Sequence, residues 1–368
     1  MHFVILLINT TKMSMIPLSQ KDLEKMKTHK YTTTGYSWLD NHMNPYWTFC
    51  ASLLPFKFSP NMVTLTGFVC QSISIIIIAF YDMTLQKKLP PFLYILFAIL
   101  MFLAQTFDAI DGKHARNTKR SSSLGQLMDH GCDAMSNYIL VAVIAQAHCF
   151  GPTIYTLLLQ FGIQSTFYVF TLEEHFSGVL RTNMDNLGVT EYQFLAMAVV
   201  ALPAFIGQFF SEFTIYGYSL AHIILIIVFL SGVKVTVQLI LTDSKDLKDG
   251  WQKWNPAIIY YILSFGQFLT CKLQLYQKIP LLIVVLNGFY FGFLASKLII
   301  DNMSERPLRA FDLDVCVFVI GVVIGVISGN VFVEGVVLIA LSIWVLVGYY
   351  IHIIGAVKAL LNYLNIPF

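Results

Sequence analysis

The sequence predicts an all-α, polytopic membrane protein, and two observations carry that prediction. Hydrophobic residues make up 57% of the 368 and charged residues only 12%, against about 25% charged in soluble domains. The apolar residues also fall in runs of bilayer length, about 20 residues each, with short polar stretches between them. Mean hydropathy is +0.68. The formal net charge of +2 offers no strongly basic surface, so nucleic acid is not an expected partner. Cys50, Cys70, Cys132, Cys149, Cys271 and Cys316 show no CxxC pair or regular spacing and read as core thiols.

About ten transmembrane helices are expected, over 62–81, 91–110, 125–149, 153–172, 191–210, 218–241, 256–275, 279–299, 313–329 and 334–355. Asn44 to Phe58 holds Trp47 and three Phe but also Pro55 and Lys57, a mixture suited to lying in the interface. The opening MHFVILLIN lacks a basic n-region and a cleavage site, so an uncleaved membrane-surface arm is expected. Three regions follow: the arm and interfacial segment (1–60), a six-span core (61–241) and a four-span extension (242–368). With a cytosolic N-terminus, six lysines up to Lys57 share that side with Lys113, Arg116, Lys119, Arg120, Arg181, Lys245, Lys248, Lys253, Arg306, Arg309 and Lys358. The other side holds only Lys87, Lys88, Lys272 and Lys278, a basic bias that sets the orientation. Lys234 and Lys297 fall inside spans and are expected to snorkel toward the cytosolic end.

The chemistry concentrates in FDAIDGKHARNTKRSSSLGQLMDHGCD, residues 107–133. Asp108 and Asp111 are three apart and Asp129 and Asp133 four apart, so each pair shares a helix face. Helices joined by a short turn run antiparallel, which brings the pairs toward one spot. Four carboxylates in an apolar setting repel unless cations or protons neutralise them. Hard oxygen ligands suit Mg²⁺, Mn²⁺ or Ca²⁺ rather than zinc, and two such ions would hold a diphosphate. Gly112, Ala115 and Gly125 are small enough for a ligand to approach the backbone. Arg116 presents a guanidinium fork to phosphate, and Lys119 and Arg120 add positive charge. Two other uses stay open at this level: a solvated carboxylate face, or the path of a divalent-cation transporter.

The spacing D-x2-D-G-x2-A-R-x8-G-x3-D-x3-D, from Asp108 to Asp133, matches every fixed position of the CDP-alcohol phosphotransferase signature. The chain therefore resembles that family. The resemblance implies its fold, a CDP-linked donor bound at Gly112, Ala115, Arg116, Lys119 and Gly125, and two Mg²⁺ or Mn²⁺ ions held by Asp108, Asp111, Asp129 and Asp133. It further implies that Asp133 is the general base, that the enzyme is a homodimer, and that it sits in an endoplasmic reticulum or Golgi membrane with its site facing the cytosol. YSWLDNHMNPYWTF with SPNMVTLTGF, SSSLGQLMDHGCDAMSN, and SGVLR with GVTEYQF are similar to stretches of the choline and ethanolamine branch. That similarity implies transfer of phosphocholine or phosphoethanolamine to diacylglycerol with release of CMP. An inositol-type acceptor is the alternative within the family. Ser123, Gln126, Met128 and His114 depart from residues frequent in the branch (Pro, Glu, Phe and Gln), all outside the signature. His130 is a candidate to assist proton transfer or to pack, and Glu191 and Arg181 are candidates for the headgroup or the 119–124 turn.

Overall fold

The computed structural model describes residues 18–366 except 30, 31, 33, 34, 181, 182, 185, 186, 243–246 and 310. The opening apolar run, Arg181, Lys245 and the side chains of Lys234, Lys248 and Lys253 lie outside the described residues. The longer helices are α1 (Gln20–Thr28), α2 (Trp38–Leu53), α3 (Pro60–Tyr81), α4 (Pro91–Asn117), α5 (Ser123–Ala147), α6 (Ile154–Ser177), α7 (Val189–Ala201), α8 (Leu220–Thr242) and α9 (Leu247–Leu269), then α10 (Pro280–Met303), α11 (Leu313–Ser328), α12 (Val331–Tyr349) and α13 (Gly355–Leu364). Short helical turns and two two-stranded ribbons join them.

The helices begin where the sequence removes a need for backbone partners. Pro60, Pro91 and Pro280 stand at the head of α3, α4 and α10, where a missing N–H costs nothing. Ser122 caps α5 by accepting from the Gly125 N–H at 3.2 Å. Gly178, at φ +69°, closes α6 in the left-handed region.

Helices occupy all ten segments read as spans. Five among the described residues are long and apolar enough to cross a bilayer: Pro60–Tyr81, Pro91–Asn117, Val189–Ile206, Pro280–Met303 and Val331–Leu364. The chain is thus a multi-pass helical membrane protein. Its 191–210 segment is broken rather than continuous, because Gly207 turns at φ +62° after Pro203–Ile206.

The centre of the molecule is α10, buried along nearly its whole length. It packs on α5 through Gly288 and Gly292, where a Cβ would fall 2.2 Å from Tyr138 Cβ and 2.3 Å from Met135 Sδ. At Gly288, where the opposing atom is a Cβ that cannot swing aside, only glycine permits that approach. Polar side chains tie the same helix to its neighbours: Gln160 Nε2 donates to the Val284 carbonyl at 3.1 Å, and Gln267 Nε2 to that of Asn287 at 3.0 Å. On the other face of α5, α3 and α4 meet at Gly67, whose added Cβ would lie 2.9 Å from Phe107 Cβ.

Lys297 of α10 corrects the expectation of a snorkelling lysine. Its side chain is 4% exposed and its ammonium donates to Asp312, at 2.8 Å, and to Asp314. Those carboxylates sit at the head of α11, which folds back over α10, so the charge is neutralised where it stands. Asp314 also accepts from Trp344 Nε1 at 2.8 Å.

Amphipathic α1 lies against this assembly. Leu23 and Met26 enter the same apolar cluster as Leu124 and Leu127 of α5. Asp22 accepts from Arg306 at 2.6 Å, and Lys25 meets Glu305 at 2.9 Å.

Candidate active site

The carboxylates expected to converge do so in part. One oxygen from each of Asp108, Asp129 and Asp133 lies within 4.8 Å of the other two. Asp129 Oδ1 is buried with no hydrogen-bond partner. A buried carboxylate oxygen left without a donor is costly unless a cation completes it. The donor set is all oxygen, which fits a hard divalent cation.

Asp111, on the same α4 face as Asp108, is outside this trio. Thr64 of α3 donates its hydroxyl hydrogen to Asp111 Oδ2. Three helices therefore build the site: α4 supplies Asp108 and Asp111, α5 supplies Asp129 and Asp133, and α3 holds Asp111 in place.

The glycines around the carboxylates differ from those of the packing interfaces. A Cβ added at Gly112 would meet nothing closer than Arg116 Nη1 at 3.5 Å, and one at Gly125 nothing closer than Asn61 Oδ1 at 3.7 Å. These are ordinary contacts, so the chain's own packing does not demand glycine at either position. Space beside the backbone is left for something else.

The basic residues follow from how α4 ends. Arg120 N–H donates to the Ala115 carbonyl at 2.8 Å and Lys119 N–H to that of Arg116 at 3.1 Å, with Lys119 at φ +59°. This paired closure turns the chain sharply toward Ser122 and α5. It leaves Arg116, Lys119 and Arg120 exposed at the end of α4, while Ala115 is half-buried.

His130 is buried next to Asp129, and His29, beyond the end of α1, lies within electrostatic reach of it. His29 Nε2 stands 3.4 Å from Gln126 Nε2. Burial makes the His29 imidazole harder to protonate, and nearby Glu305 opposes that. Glu191 does not reach the 119–124 turn: it accepts from the backbone N–H of Leu39 and of Gly188, each at 2.8 Å. With Thr190 donating to Asp40 at 2.6 Å, it braces the starts of α2 and α7.

Sequence reasoning missed Thr64 and Asn61. Both lie in the first turns of α3, in the SPNMVT string noted only as a likeness to the interfacial segment. Their distance from Asp111 and Gly125 along the chain hid the contact. His114 was noted only as a departure, yet its Nε2–H donates to the Phe58 carbonyl at 2.9 Å and ties α4 to the entry of α3.

Hydrophobic helices gathering acidic residues beside open backbone and exposed guanidinium and ammonium groups suit a membrane enzyme of phosphoryl transfer. Residues 57–233, just under half of the chain, match the family model described as CDP-alcohol phosphatidyltransferase. It is 28% identical to human cholinephosphotransferase 1 over 310 residues, 80% of this chain and 76% of that one. It is 26% identical to cholinephosphotransferase 1 of Saccharomyces cerevisiae over 315 residues, 79% of this chain and 80% of the other. A further relative, 28% identical over 83% of this chain and 82% of its own length, is the Dictyostelium discoideum protein named uncharacterized CDP-alcohol phosphatidyltransferase class-I family protein 1. The protein is a phosphotransferase of phospholipid biosynthesis, acting on a CDP-alcohol and a lipid acceptor within the membrane.

Proposed function

We propose that this protein transfers phosphocholine or phosphoethanolamine from the CDP-alcohol to diacylglycerol, forming phosphatidylcholine or phosphatidylethanolamine and releasing CMP. The observation that carries it is the trio Asp108, Asp129 and Asp133, with its unpartnered Asp129 oxygen, beside glycines that packing does not require. The similarity to cholinephosphotransferases of human and yeast supports the donor class.

In this reading Asp108, Asp111, Asp129 and Asp133 hold two Mg²⁺ or Mn²⁺ ions, which neutralise charge on the donor diphosphate. Gly112, Ala115 and Gly125 admit the nucleotide against the backbone. Arg116 and Lys119 supply positive charge to its phosphates. Diacylglycerol enters from the bilayer with its acyl chains left in lipid. Asp133 accepts the proton of its free hydroxyl, and the oxygen forms a bond to the β-phosphorus. The bond from that phosphorus to the bridging oxygen breaks, and CMP departs with the electron pair. Little covalent work falls to the protein, so positioning and charge neutralisation carry the rate. His130, buried beside Asp129, orients the acceptor hydroxyl or assists its proton. The basic-residue bias supports a site facing the cytosol, and the family resemblance supports a homodimer in the endoplasmic reticulum or Golgi.

Microsomes carrying the protein, given labelled CDP-choline and CDP-ethanolamine separately with diacylglycerol, test this. Phospholipid should form with at least one donor, EDTA should abolish it, and added Mg²⁺ or Mn²⁺ should restore it. Asp129→Asn should reduce the rate by orders of magnitude. Full turnover by Asp133→Asn would remove the base assignment, and no product from either donor would sink the reaction.

A further inference from the structure

A cavity of mixed polar and apolar lining lies at the far end of α4 from the carboxylates. It has a volume of about 410 Å³ and is lined by Lys88, Tyr94, Gln208 and Glu212 with an apolar floor that includes Pro91 and Ile206. Tyr94 precedes Asp108 by fourteen residues on one helix, which separates the two places by about 21 Å at 1.5 Å per residue. The volume is within the range of small-molecule and headgroup sites, roughly 300–1,000 Å³.

Two of its polar groups are built in rather than incidental. Gln208 is 6% exposed and Tyr94 2%. The Tyr94 hydroxyl accepts from the Leu89 N–H at 2.8 Å and from Gln208 Nε2 at 3.0 Å, so its own proton remains to be donated. Gln208 Oε1 has no hydrogen-bond partner. The turn at Gly207 sets Gln208 there, at a φ of +62°. Lys88 is carried on a loop fixed by Asp82, which accepts from the N–H groups of Gln86 and Lys87, each at 2.7 Å.

The rim carries one charge of each sign. Lys88 and Glu212 pair across the mouth, with side chains 65% and 59% exposed. Exposed Phe205, Phe209 and Phe213 surround the 203–212 turn, and exposed Tyr216 and Tyr218 follow it, tyrosine being a residue that gathers at a membrane–water boundary. A ligand suited to this place has a phosphate, an amine and apolar tails.

We propose that this cavity binds the zwitterionic headgroup of a bilayer phospholipid. The phosphate lies against the Lys88 ammonium and the Tyr94 hydroxyl. The cationic amine lies against Glu212 and Gln208 Oε1, and the first acyl carbons rest on Pro91, Ile206 and Phe209. The headgroup replaces the direct Lys88–Glu212 contact with two contacts of the same sign pattern, so no charge is left unpaired. The site is separate from the catalytic carboxylates and does not depend on which donor they use.

Photoreactive phosphatidylcholine and phosphatidylglycerol, each in nanodiscs holding the purified protein, test it by the peptides they label. Phosphatidylcholine should label 88–94 and 203–212 at least fivefold more than phosphatidylglycerol. Glu212→Lys, at an exposed position, should reverse that preference with transfer activity and melting temperature unchanged. Gln208→Leu should lower phosphatidylcholine labelling severalfold. Equal labelling by both lipids, or a preference that Glu212→Lys leaves in place, would overturn the proposal.

Discussion

Thr64 of α3 donates its hydroxyl hydrogen to Asp111 of α4, the one signature aspartate standing outside the trio of Asp108, Asp129 and Asp133. The bond fixes Asp111 from a helix that contributes no carboxylate itself. It makes α3 part of the site through position alone.

Removing that hydroxyl should therefore weaken the site without dismantling it. A hydrogen bond to a charged group contributes about 1.5–3 kcal/mol, so Thr64→Val should lower transfer rate by roughly tenfold or more, since 1.4 kcal/mol is a factor of ten. The loss should be larger at limiting Mg²⁺ than at saturation, and Thr64→Ser should recover most of it. A Mg²⁺ titration of all three proteins provides the check. Equal rates across the series would show that Asp111 needs no support from α3.

The two kinds of glycine predict opposite outcomes. At Gly288 a Cβ would fall 2.2 Å from Tyr138 Cβ, so Gly288→Ala must push α10 away from α5. Overpacking of this kind costs about 1–3 kcal/mol, visible as a lower melting temperature in detergent. At Gly125 the nearest atom is 3.7 Å away, so Gly125→Ala should leave melting unchanged and reduce turnover by filling space meant for the donor. Parallel melting and activity measurements separate the cases. A large melting loss at Gly125 would return that glycine to the packing class.

How much of this was legible in sequence depends on whether the deciding contact is local. The carboxylate pairs were readable because i, i+3 and i, i+4 spacing places them on helix faces. Thr64 was not readable, since a threonine in the first turns of an apolar helix is ordinary and its partner is 47 residues away. Lys297 was misread for the same reason. Its place near the end of a span suggested escape to water, and nothing in the span's own pattern reveals that Asp312 and Asp314 fold back onto it. Gly112 and Gly288 look alike in sequence, and only the neighbour opposite each tells them apart.

Docking of α1 should depend on pH through Asp22. The hydrogen bond from Arg306 holds this carboxyl well below the usual carboxylate range, against the opposing effect of burial, with Ser19 assisting. A depressed value in the docked state means that docking is strongest above the ordinary Asp value of about 3.9 and weakens progressively as pH falls from there toward the depressed value. Hydrogen exchange over 20–28, corrected for intrinsic rate, should therefore be slow at pH 6 and rise below pH 4. Asp22→Asn should raise it already at pH 6. Exchange that is flat across this range would show that Leu23 and Met26 hold the helix without the ion pair.

The buried Lys297 group should be more sensitive to loss of its cation than to loss of one anion. Lys297 faces two carboxylates, of which Asp312 also caps α11 by accepting from the N–H groups of Asp314, at 3.0 Å, and Val315, at 3.1 Å. Lys297→Met removes the ammonium both carboxylates bind, leaving Arg309 acting on Asp312 without a direct contact, and breaking a buried pair from one side costs about 3–5 kcal/mol. Asp314→Asn keeps a neutral acceptor for Trp344 and leaves Asp312 paired, so it should cost less. Lys297→Met with Asp314→Asn should recover part of the loss of Lys297→Met alone, because one of the two unpaired charges is then gone. Thermal inactivation of the four proteins measures this as a coupling between neighbours. Strict additivity would mean that the three charges do not act as one unit, and that α11 is held over α10 by its apolar face alone.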